Sequence, residues 1–368
     1  MRVISLYTIT SRTAAQRSGA IDPSRMSIAV IIPTYRRPAS LARCLQALDR
    51  QTLRPSRIVV AVRDSDVESR FVVERERHRI PELSTVLVTE PGVIAAMSAA
   101  IMTCREDVIA CTDDDAVPRS DWIERMISFY APGVGGVGGR DVIARRKPNR
   151  YDLNRTEPLK PVVGRLTRYG RLIGNHHRGC GPPRDVDVLK GVNMSLRREL
   201  WRLDTRLRGT GAQVAWEIAV CLHAKAAGWR LIYDPATAVD HVPAERFDAD
   251  SRTNPTLEAR TDAAWNEAYA LASSLPPIKL VITSLVTLAI GSRAAPGPIF
   301  ALTAVARSPR RLWSALSLTY RLTNARIHGT FSGLVKRLFH STPTSTLPLL
   351  GKTRVNETLI RNAHSDGT

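Results

Sequence analysis

Three consecutive aspartates, Asp113, Asp114 and Asp115, form the densest group of residues in this chain that could do chemistry. They directly follow Val108–Cys111, a short apolar run that predicts a buried strand. Adjacent carboxylates repel one another, and Mg²⁺ or Mn²⁺ would neutralise them, because these hard cations prefer oxygen ligands. Residues i and i+2 of an extended chain point the same way, so Asp113 and Asp115 could share one ion. The alternative is a solvated acidic turn before a helix that starts near Ser120.

Two further polar segments follow predicted strands. The apolar run Ile28–Ile32 leads into the turn PTYRRP at residues 33–38, and the run Ile58–Val62 leads to Asp64. In open α/β sheets, ligands bind at the carboxyl ends of the parallel strands. We therefore expect the turn, Asp64 and the aspartate cluster to meet in one crevice.

The segments between these strands predict the elements that would position them. Ser40–Arg50 has apolar residues on one helical face, and the Ala-rich Val93–Cys104 reads as a second helix after a third strand at Val86–Val88. Strands that alternate with helices predict a right-handed βαβ sheet. Further along, Ala212–Ala227 predicts a helix and Arg230–Tyr233 a strand.

Six stretches between residues 27 and 241 resemble glycosyltransferase family 2, and they run in the family's order. They are SIAVIIPTYRRPASLARCLQALDRQT, RIVVAVRDSD, VIACTDDDAVPRSDWIERM, LKGVNMSLRREL, AWEIAVCLHAKAAGW and RLIYDPATAVDH. The resemblance implies the GT-A fold over about residues 26–250, an α/β fold whose mixed, mostly parallel, Rossmann-like sheet is flanked by helices. It also implies inverting transfer from a nucleotide-diphosphate sugar, commonly a UDP sugar, with Mg²⁺ or Mn²⁺ as the cofactor.

The same resemblance implies roles for individual residues. Asp64 would accept a hydrogen bond from the nucleotide base, while Asp113 and Asp115 would hold the metal ion on the diphosphate. His241 would be a further metal ligand, with a purely structural role as the alternative. Glu217 would be the catalytic base. Nucleotide and donor binding is further expected from Pro33, Thr34, Tyr35, Arg37 and Asp114.

The chemistry of sugar transfer agrees with a carboxylate base. The incoming hydroxyl is a poor nucleophile near neutral pH, and a carboxylate within hydrogen-bond reach can take its proton as the new bond forms. The residues around Glu217 are apolar on all sides of the predicted helix, so we expect its side chain to be part-buried. On the acceptor side, Trp216 could stack on a sugar, and Asn193 lies in a segment, GVNM, that resembles the family's pocket-lining turn.

Two departures from the family pattern concern the donor. Arg63 replaces an acid that often precedes the base-binding aspartate, and Met97-Ser98 stands where the family frequently has Arg-Asn. The missing arginine removes a possible contact with the diphosphate. Arg36, Arg37 or Lys190 would then have to supply that contact.

Charge is the unusual feature of the composition. The 368 residues include 53 Lys and Arg against 34 Asp and Glu, and the net charge of +19 indicates an anionic partner or surface. A hydrophobic content of 43% excludes wholesale disorder and a polytopic membrane protein. Five scattered cysteines favour a reduced, cytosolic protein. The basic, Ser/Thr-rich residues 1–25 predict a flexible tail rather than a signal peptide.

The positive charge is concentrated towards the end of the chain. Between Ala268 and Asn356 there is no Asp or Glu, but there are eleven Lys and Arg. Residues 268–345 predict basic, apolar helices, and residues 346–368 predict a flexible tail. Apolar runs within this region are Ile278–Ile290, Ile299–Ala306 and the helical stripe of Phe331, Leu334, Val335 and Leu338.

Two interpretations of this basic region stay open. Helices within residues 276–340 could lie on an anionic membrane leaflet, because Ile278–Ile290 is shorter than the roughly 20 residues that span a bilayer. Alternatively, they form a basic helical cap that packs on the catalytic domain and leaves its charges in solvent.

Taken together, these features predict a glycosyltransferase of polysaccharide or cell-envelope glycan synthesis. We expect it at the cytoplasmic face of the inner membrane, acting on a glycan or lipid-linked acceptor, with no specific nucleic-acid partner. A sugar-nucleotide nucleotidyltransferase is the alternative enzyme, but PTYRRP lacks the glycines of a phosphate loop. A non-catalytic basic protein that binds nucleic acid or membranes is the alternative from another class. Aromatic residues are few, at 5%, and the apolar runs beside the basic residues suit phospholipid headgroups better.

Overall fold

The computed structural model describes residues 26–147, 150–152, 158–247, 255–291, 297–299 and 312–339. The predicted tails at 1–25 and 346–368 lie outside the described residues, as does most of the apolar run 299–306. The helices are α1 (Pro38–Asp49), α2 (Val67–Arg77), α3 (Val93–Thr103), α4 (Trp122–Ser128), α5 (Trp216–Ala226), α6 (Leu257–Ser274), α7 (Pro277–Ala289) and α8 (Leu312–Phe339). The strands are β1 (Ile28–Thr34), β2 (Arg57–Arg63), β3 (Leu83–Val88), β4 (Val108–Thr112), β5 (Ala116–Pro118), β6 (Val134–Ile143), β7 (Arg145–Lys147), β8 (Arg150–Asp152), β9 (Arg165–Leu166), β10 (Leu172–Ile173), β11 (Arg184–Val186), β12 (Asn193–Arg197) and β13 (Arg230–His241).

A mixed sheet forms the centre of the described chain. Its strand order is β11-β13-β6-β12-β4-β1-β2-β3, and β5 pairs with β13. Strands β4, β1, β2 and β3 are parallel neighbours, whereas β12 is inserted antiparallel between β4 and β6. The prediction of an α/β fold with a mixed, mostly parallel sheet is therefore confirmed. Because β1, β2 and β4 run the same way, their carboxyl ends meet at one edge.

The sheet is covered on both faces, which explains why its central strands are apolar throughout. Ala29 and Ile31 of β1 pack into the layer that contains α3, α5 and α6. The alternate residues Val30 and Ile32 pack into the opposite layer, with α1, α2 and α4. All four side chains are fully buried. A strand covered on both faces cannot show a polar/apolar alternation.

Two predicted elements differ from the structure. Strand β13 does not end at the Asp234-Pro235 step but continues to His241, because the Asp234 carboxylate accepts hydrogen bonds from the backbone of Ala236 and Thr237 and holds a bulge there. Helix α5 begins at Trp216 rather than Ala212, since Ala215 has a left-handed backbone with φ of 79°. Both differences move a predicted site residue to the end of an element.

The C-terminal helices pack on this domain. Helix α6 lies against α5 on one side and α8 on the other. Gly329 and Gly333 allow the close approach of α8 to α6. A Cβ on Gly329 would lie 2.4 Å from the carbonyl oxygen of Trp265, and a Cβ on Gly333 would lie 2.7 Å from that of Tyr269. Lys336 of α8 also pairs with Asp204 at 2.8 Å. This packing is what the cap interpretation predicts.

The outer side of the same helices does not fit a simple cap. Phe331 is 66% exposed and Leu338 72% exposed, so the apolar stripe predicted from the sequence faces away from the domain. Within the described ranges, no helix has both the length and the apolar character that crossing a bilayer requires.

Candidate active site

The turn after β1 is held in place by an aspartate at the next strand end. Arg36 has a left-handed backbone, with φ of 58°. Its N–H donates to the carboxylate of Asp66, which also accepts the Ser69 N–H and so caps the N-terminus of α2. The buried Asp66 therefore joins the turns after β1 and β2 into one rim of the sheet edge. Sequence analysis missed this role of Asp66.

The three adjacent aspartates are in a tight turn between β4 and β5, not in an extended segment. Asp114 is turned inward and is 1% exposed. It accepts a hydrogen bond from the Thr34 hydroxyl at 2.7 Å and pairs with Arg37 at 2.8 Å. Burial raises the pKa of Asp114 to about 6, although the Arg37 guanidinium opposes that rise. Arg37 thus neutralises the acidic turn through Nη1, and its Nε donates to the carbonyl oxygen of Glu245.

Asp115 faces the end of β13 and meets His241 there. Its Oδ1 lies 3.2 Å from His241 Nε2, and its Oδ2 accepts the Ala244 N–H at 2.8 Å. Both side chains are buried. Burial opposes ionisation of both groups, but the contact between the Asp115 carboxylate and the His241 imidazole favours their charged forms and outweighs the effect of burial. It lowers the pKa of Asp115 to about 2, and together with Asp141 it raises that of His241 to about 9.

Asp113 completes a cluster with these two residues. One ligand atom each from Asp113, Asp115 and His241 lies within 4.8 Å of the others. Two carboxylate oxygens and one imidazole nitrogen form a donor set that Mn²⁺ or Mg²⁺ accepts. The cluster therefore fits the predicted metal. Its residues are brought together by the turn between β4 and β5 and by the continuation of β13 to His241, and not by an extended conformation of residues 113–115.

A second layer of charges stands behind His241. The Nδ1 of His241 lies 3.0 Å from the carboxylate of Asp141, which is fully buried and also pairs with Lys190. Burial disfavours the carboxylate of Asp141, but His241 and Lys190 lower its pKa below the usual range. A hydrogen bond from Nδ1 to Asp141 would leave Nε2 to face the ion, an arrangement common behind metal-bound histidines. Sequence analysis missed Asp141, since the Gly-rich VGGVGGRD did not read as a strand.

A cleft beside the cluster matches most of the expected donor-binding residues. Its lining includes Pro33, Thr34, Tyr35, Arg37, Asp113 and Asp114. Small apolar side chains from three elements, Ala61 of β2, Val88 of β3 and Ala96 of α3, contribute the rest of one wall. Arg63 stacks over the Tyr35 ring at 4.6 Å and also lines the cleft. An apolar wall beside an aromatic ring and a cation suits a flat, anionic ligand.

Asp64 has a different position from these residues. It lies on the exposed turn after β2, where its carboxylate accepts the N–H of Ser65 at 2.8 Å. Its own N–H donates to Val88 O, which places the turn at the rim of the cleft. A ligand in the cleft would have to extend to this rim to reach Asp64.

Glu217 lies in the first turn of α5 and is half-buried, as the apolar surroundings predict. Burial raises the pKa of its carboxyl, and the nearby negative charge of Asp113 adds to that rise. Lys190 and Arg246 oppose it. These interactions bring the expected base into the electrostatic neighbourhood of the aspartate cluster.

The two residues expected on the acceptor side are not at an open surface. Trp216 is 6% exposed and stacks on Trp201 with ring centroids 6.2 Å apart. Asn193 is fully buried, accepts the Trp122 indole N–H, and donates to the carbonyls of Arg140 and Thr237. Both of its amide hydrogens are used inside the core and the side chain is fully buried, so Asn193 is a positioning residue of the sheet. The structure therefore gives the expected acceptor contact of Asn193 no exposed side chain to make it.

Comparisons with known proteins agree with this geometry. Residues 29–201 match the model of glycosyl transferase family 2. The chain is 25% identical, over 235 residues, to the glucosyl-dolichyl phosphate glucuronosyltransferase of Haloferax volcanii, covering 59% of this chain and 69% of that protein. It is 28% identical over 116 residues to glycosyltransferase AglE of the same organism, covering 30% of this chain and 38% of AglE.

Solved structures share the architecture. The mannosyltransferase PcManGT from Pyrobaculum calidifontis, in complex with GDP-Man and Mn²⁺, superposes with a TM-score of 0.51 at 19% identity, over 89% of this chain and 92% of that one. TarS of S. aureus, in complex with UDP-GlcNAc, superposes with a TM-score of 0.53 at 14% identity, over 84% and 91%. The fold is therefore GT-A. The strand edge and the aspartate cluster agree with the match of residues 29–201 to glycosyl transferase family 2.

Proposed function

We propose that this glycosyltransferase moves a sugar, with inversion, from a nucleotide-diphosphate sugar to a hydroxyl of a glycan or lipid-linked acceptor. A UDP sugar is the first donor to test. The single observation that carries the proposal is the cluster of Asp113, Asp115 and His241, of which Asp113 lines the cleft. It supports a divalent cation placed where the diphosphate of a donor would lie.

The lining of the cleft supports the proposal that the nucleotide part of the donor binds there. Its small apolar residues leave room for a flat base, and Tyr35 with Arg63 stands at the opening. Asp64 is proposed to accept a hydrogen bond from the base at the rim. Arg37, which pairs with Asp114, and Arg246 both line the cleft, and they are proposed to supply an added phosphate contact.

Asp113, Asp115 and His241 would hold Mg²⁺ or Mn²⁺. When bound, such an ion neutralises the charge that develops on the departing diphosphate. The chain prepares this site in advance, because the Ala244 N–H orients Asp115 and the carboxylate of Asp141 orients His241. Asp114 stays bound to Thr34 and Arg37, and we assign it to holding the turn.

Glu217 is proposed to take the proton of the acceptor hydroxyl. A carboxylate whose pKa is raised above the ordinary 4.5 is better matched to accept a proton near neutral pH. Attack from the side opposite the leaving diphosphate would invert the anomeric centre. Glu217 must therefore face the sugar from the α5 side, while the metal cluster faces the diphosphate.

The proposal for the acceptor is supported by the name of a related protein. One protein that the chain is similar to is named for action on a glucosyl-dolichyl phosphate, which supports a lipid-linked acceptor here as well. We accordingly propose that the protein acts peripherally at the cytoplasmic face of the inner membrane. PTYRRP has no glycine, so nothing favours the nucleotidyltransferase alternative.

A screen of nucleotide sugars tests the proposal. Thermal unfolding of the full chain is followed with each donor in Mn²⁺, in Mg²⁺ and in EDTA, since a ligand that binds only the folded state must stabilise it. We expect one group of donors to raise the unfolding temperature in Mn²⁺ and much less in EDTA. Stabilisation that is equal with and without the metal would contradict the proposed site.

A further inference from the structure

Helix α8 has two apolar faces, and only one of them is covered in the described chain. The inner face carries the fully buried Leu322, together with Gly329 and Gly333, and packs on α6. The outer face repeats large apolar residues every three, four or seven positions. Its members, all exposed, are Trp313, Leu316, Tyr320, Ile327, Phe331, Leu334 and Leu338.

Helix α7 repeats this arrangement on a smaller scale. Leu280 and Thr283 are buried against the neighbouring helices. Its exposed apolar residues have the i, i+3, i+4, i+7 spacing of one helical stripe, and they are Ile278, Val281, Ile282 and Leu285. Helices α7 and α8 contact each other. We call these two exposed stripes together the C-terminal apolar face.

Such a face is unusual on a soluble domain. Apolar residues scattered singly on a surface need no explanation, but contiguous stripes mark a surface that another body covers. The chemistry of that body is indicated by charge, because residues 268–356 contain eleven Lys and Arg and no acid. Beside the stripe, Arg321 and His328 are exposed and line a groove that also includes Tyr320 of the stripe.

We propose that the C-terminal apolar face docks on an anionic lipid bilayer, with α7 and α8 lying in the plane of the interface. An apolar stripe flanked by basic residues sinks into the boundary between headgroups and acyl chains, while the cations meet the negative surface. Lying flat requires no spanning segment, which agrees with the finding that no described helix could cross a bilayer.

A second copy of the chain would be the other occupant, since the spacing of the α8 stripe also suits a coiled coil. Charge argues against it. Pairing two such faces would bring together two segments rich in Lys and Arg and free of Asp and Glu. A partner with negative headgroups has no such repulsion.

The inference deepens the proposed function and rests on it for one point, namely that a lipid-linked acceptor would be met at this surface. The docking itself can be tested without any substrate. Donor binding in Mn²⁺, measured on the same samples, tells the failure of one proposal from the failure of the other.

The experiment is co-sedimentation of the full-length protein with vesicles of phosphatidylglycerol and phosphatidylcholine, against vesicles of phosphatidylcholine alone. The double variant Phe331→Ser/Leu338→Ser removes two large apolar side chains that are mostly exposed. Phe71→Ser is the matched control, because Phe71 on α2 is 68% exposed and Phe331 is 66% exposed. Thermal unfolding of each variant checks that the fold is retained.

We expect wild type and Phe71→Ser to bind the anionic vesicles and the double variant to bind at least about tenfold more weakly. Added salt should weaken the binding of all three, since the headgroup attraction is screened. The proposal is overturned if wild type stays in the supernatant, or if the double variant binds as wild type does. It is also overturned if wild type is a dimer in solution that the double variant dissociates.

Tryptophan fluorescence gives an independent measure. All six tryptophans lie within the described residues, and Trp313 is 82% exposed whereas the other five are buried. Anionic vesicles should therefore shift the emission to shorter wavelength and protect Trp313 from acrylamide. Trp313→Phe should abolish the shift. A shift that persists in that variant would contradict contact of this face with lipid.

Discussion

The sheet-edge site and the C-terminal apolar face break the ordinary rule of burial in opposite ways. At the sheet edge, Asp114, Asp115, Asp141 and His241 are charged or polar groups that are almost wholly buried. On the outer side of α7 and α8, large apolar side chains are exposed, with Trp313 at 82%. Each arrangement costs free energy in the isolated chain. Each is explained if a partner completes it: a cation and a diphosphate in the first, lipid in the second.

The two regions also differ in how precisely they are built. The site depends on individual contacts, such as the Ala244 N–H on Asp115 and the Asp141 carboxylate on His241. The apolar face depends only on the spacing of its residues and on the absence of acids. A single substitution should therefore disable the site, while the face should lose function by increments.

Replacement of the proposed base should have the largest effect. Glu217→Gln keeps the shape of the side chain and removes its proton-accepting capacity, so we expect transfer to fall by about 10²–10⁴-fold. Donor binding in Mn²⁺ should survive. Glu68→Gln is the matched control, because Glu68 is likewise the second residue of an 11-residue helix but is exposed. Transfer that is retained in Glu217→Gln would remove this residue as the base.

The same variant has a signature in stability. The carboxyl of Glu217 has a raised pKa in the folded chain, so the wild type loses stability as the pH rises from 4.5 through the folded pKa. Glutamine has no charge to bury. The unfolding temperature of the variant, relative to wild type, should therefore be higher at about pH 8 than at about pH 4.5. A difference that is constant with pH would contradict the buried setting of this group.

Removal of the group behind the metal ligand should have a smaller effect on transfer. Asp141→Asn keeps the side-chain size but weakens the orientation of His241, and we expect the affinity for Mn²⁺ to fall by about 10–100-fold. Titration of Mn²⁺ in the presence of the nucleotide measures it. Asp240→Asn is the control, since Asp240 neighbours His241 in β13 but pairs with Arg119. Equal affinities in both variants would show that Asp141 does not support the site.

Loss of the aspartate that joins the two turns should act on both stability and donor affinity. Asp66→Ala removes the N-cap of α2 and the acceptor of the Arg36 N–H, which should cost about 2 kcal/mol of folding free energy. Denaturant unfolding measures this cost. Asp121→Ala is the control, because Asp121 is the N-cap residue of α4 but makes no capping hydrogen bond there. Similar losses in both variants would contradict the joining role.

The smallest effect is expected where α8 contacts the rest of the domain. Lys336→Met keeps the stem of the side chain but removes its ion pair with Asp204, at a cost of about 1 kcal/mol. Lys160→Met, at an exposed position, should be neutral. Neither should change transfer to a small soluble acceptor. A large loss of transfer in Lys336→Met alone would mean that α8 acts on the site as well as on lipid.

Much of this architecture follows from local patterns in the sequence. Ile28–Ile32 and Ile58–Val62 are apolar enough to identify buried parallel strands, and the residues directly after them are at the predicted edge. The aspartate triplet could be identified for the same reason, since charged residues directly after an apolar run are conspicuous, whereas Glu217 was identified through the family resemblance. The role of each aspartate was not predictable, because it depends on the turn between β4 and β5. That turn directs the Asp114 carboxylate to Arg37 and the Asp115 carboxylate to His241.

The rest depended on long-range contacts. Asp141 lies within β6, a strand that is hard to recognise in the sequence because it is rich in glycine, and Gly139 is needed because the bulge of β13 leaves no room for a side chain there. A Cβ on Gly139 would lie 1.6 Å from the carbonyl oxygen of Thr237. Asn193 also looked like a pocket residue until its three partners, from distant segments, placed it in the core. Helix α8 has two apolar faces, and its packing on α6 decides which of the two is covered. The periodicity of the sequence alone does not distinguish these two faces.

Anomalous scattering at the manganese edge tests the central claim most directly. Crystals grown with Mn²⁺ and uridine diphosphate should show one strong peak bound by Asp113, Asp115 and His241, with the diphosphate beside it and the base in the cleft. Crystals of Asp115→Asn under the same conditions should lose that peak. Nucleotide bound in the cleft with no manganese at this cluster, or manganese bound elsewhere in the site, would contradict the account.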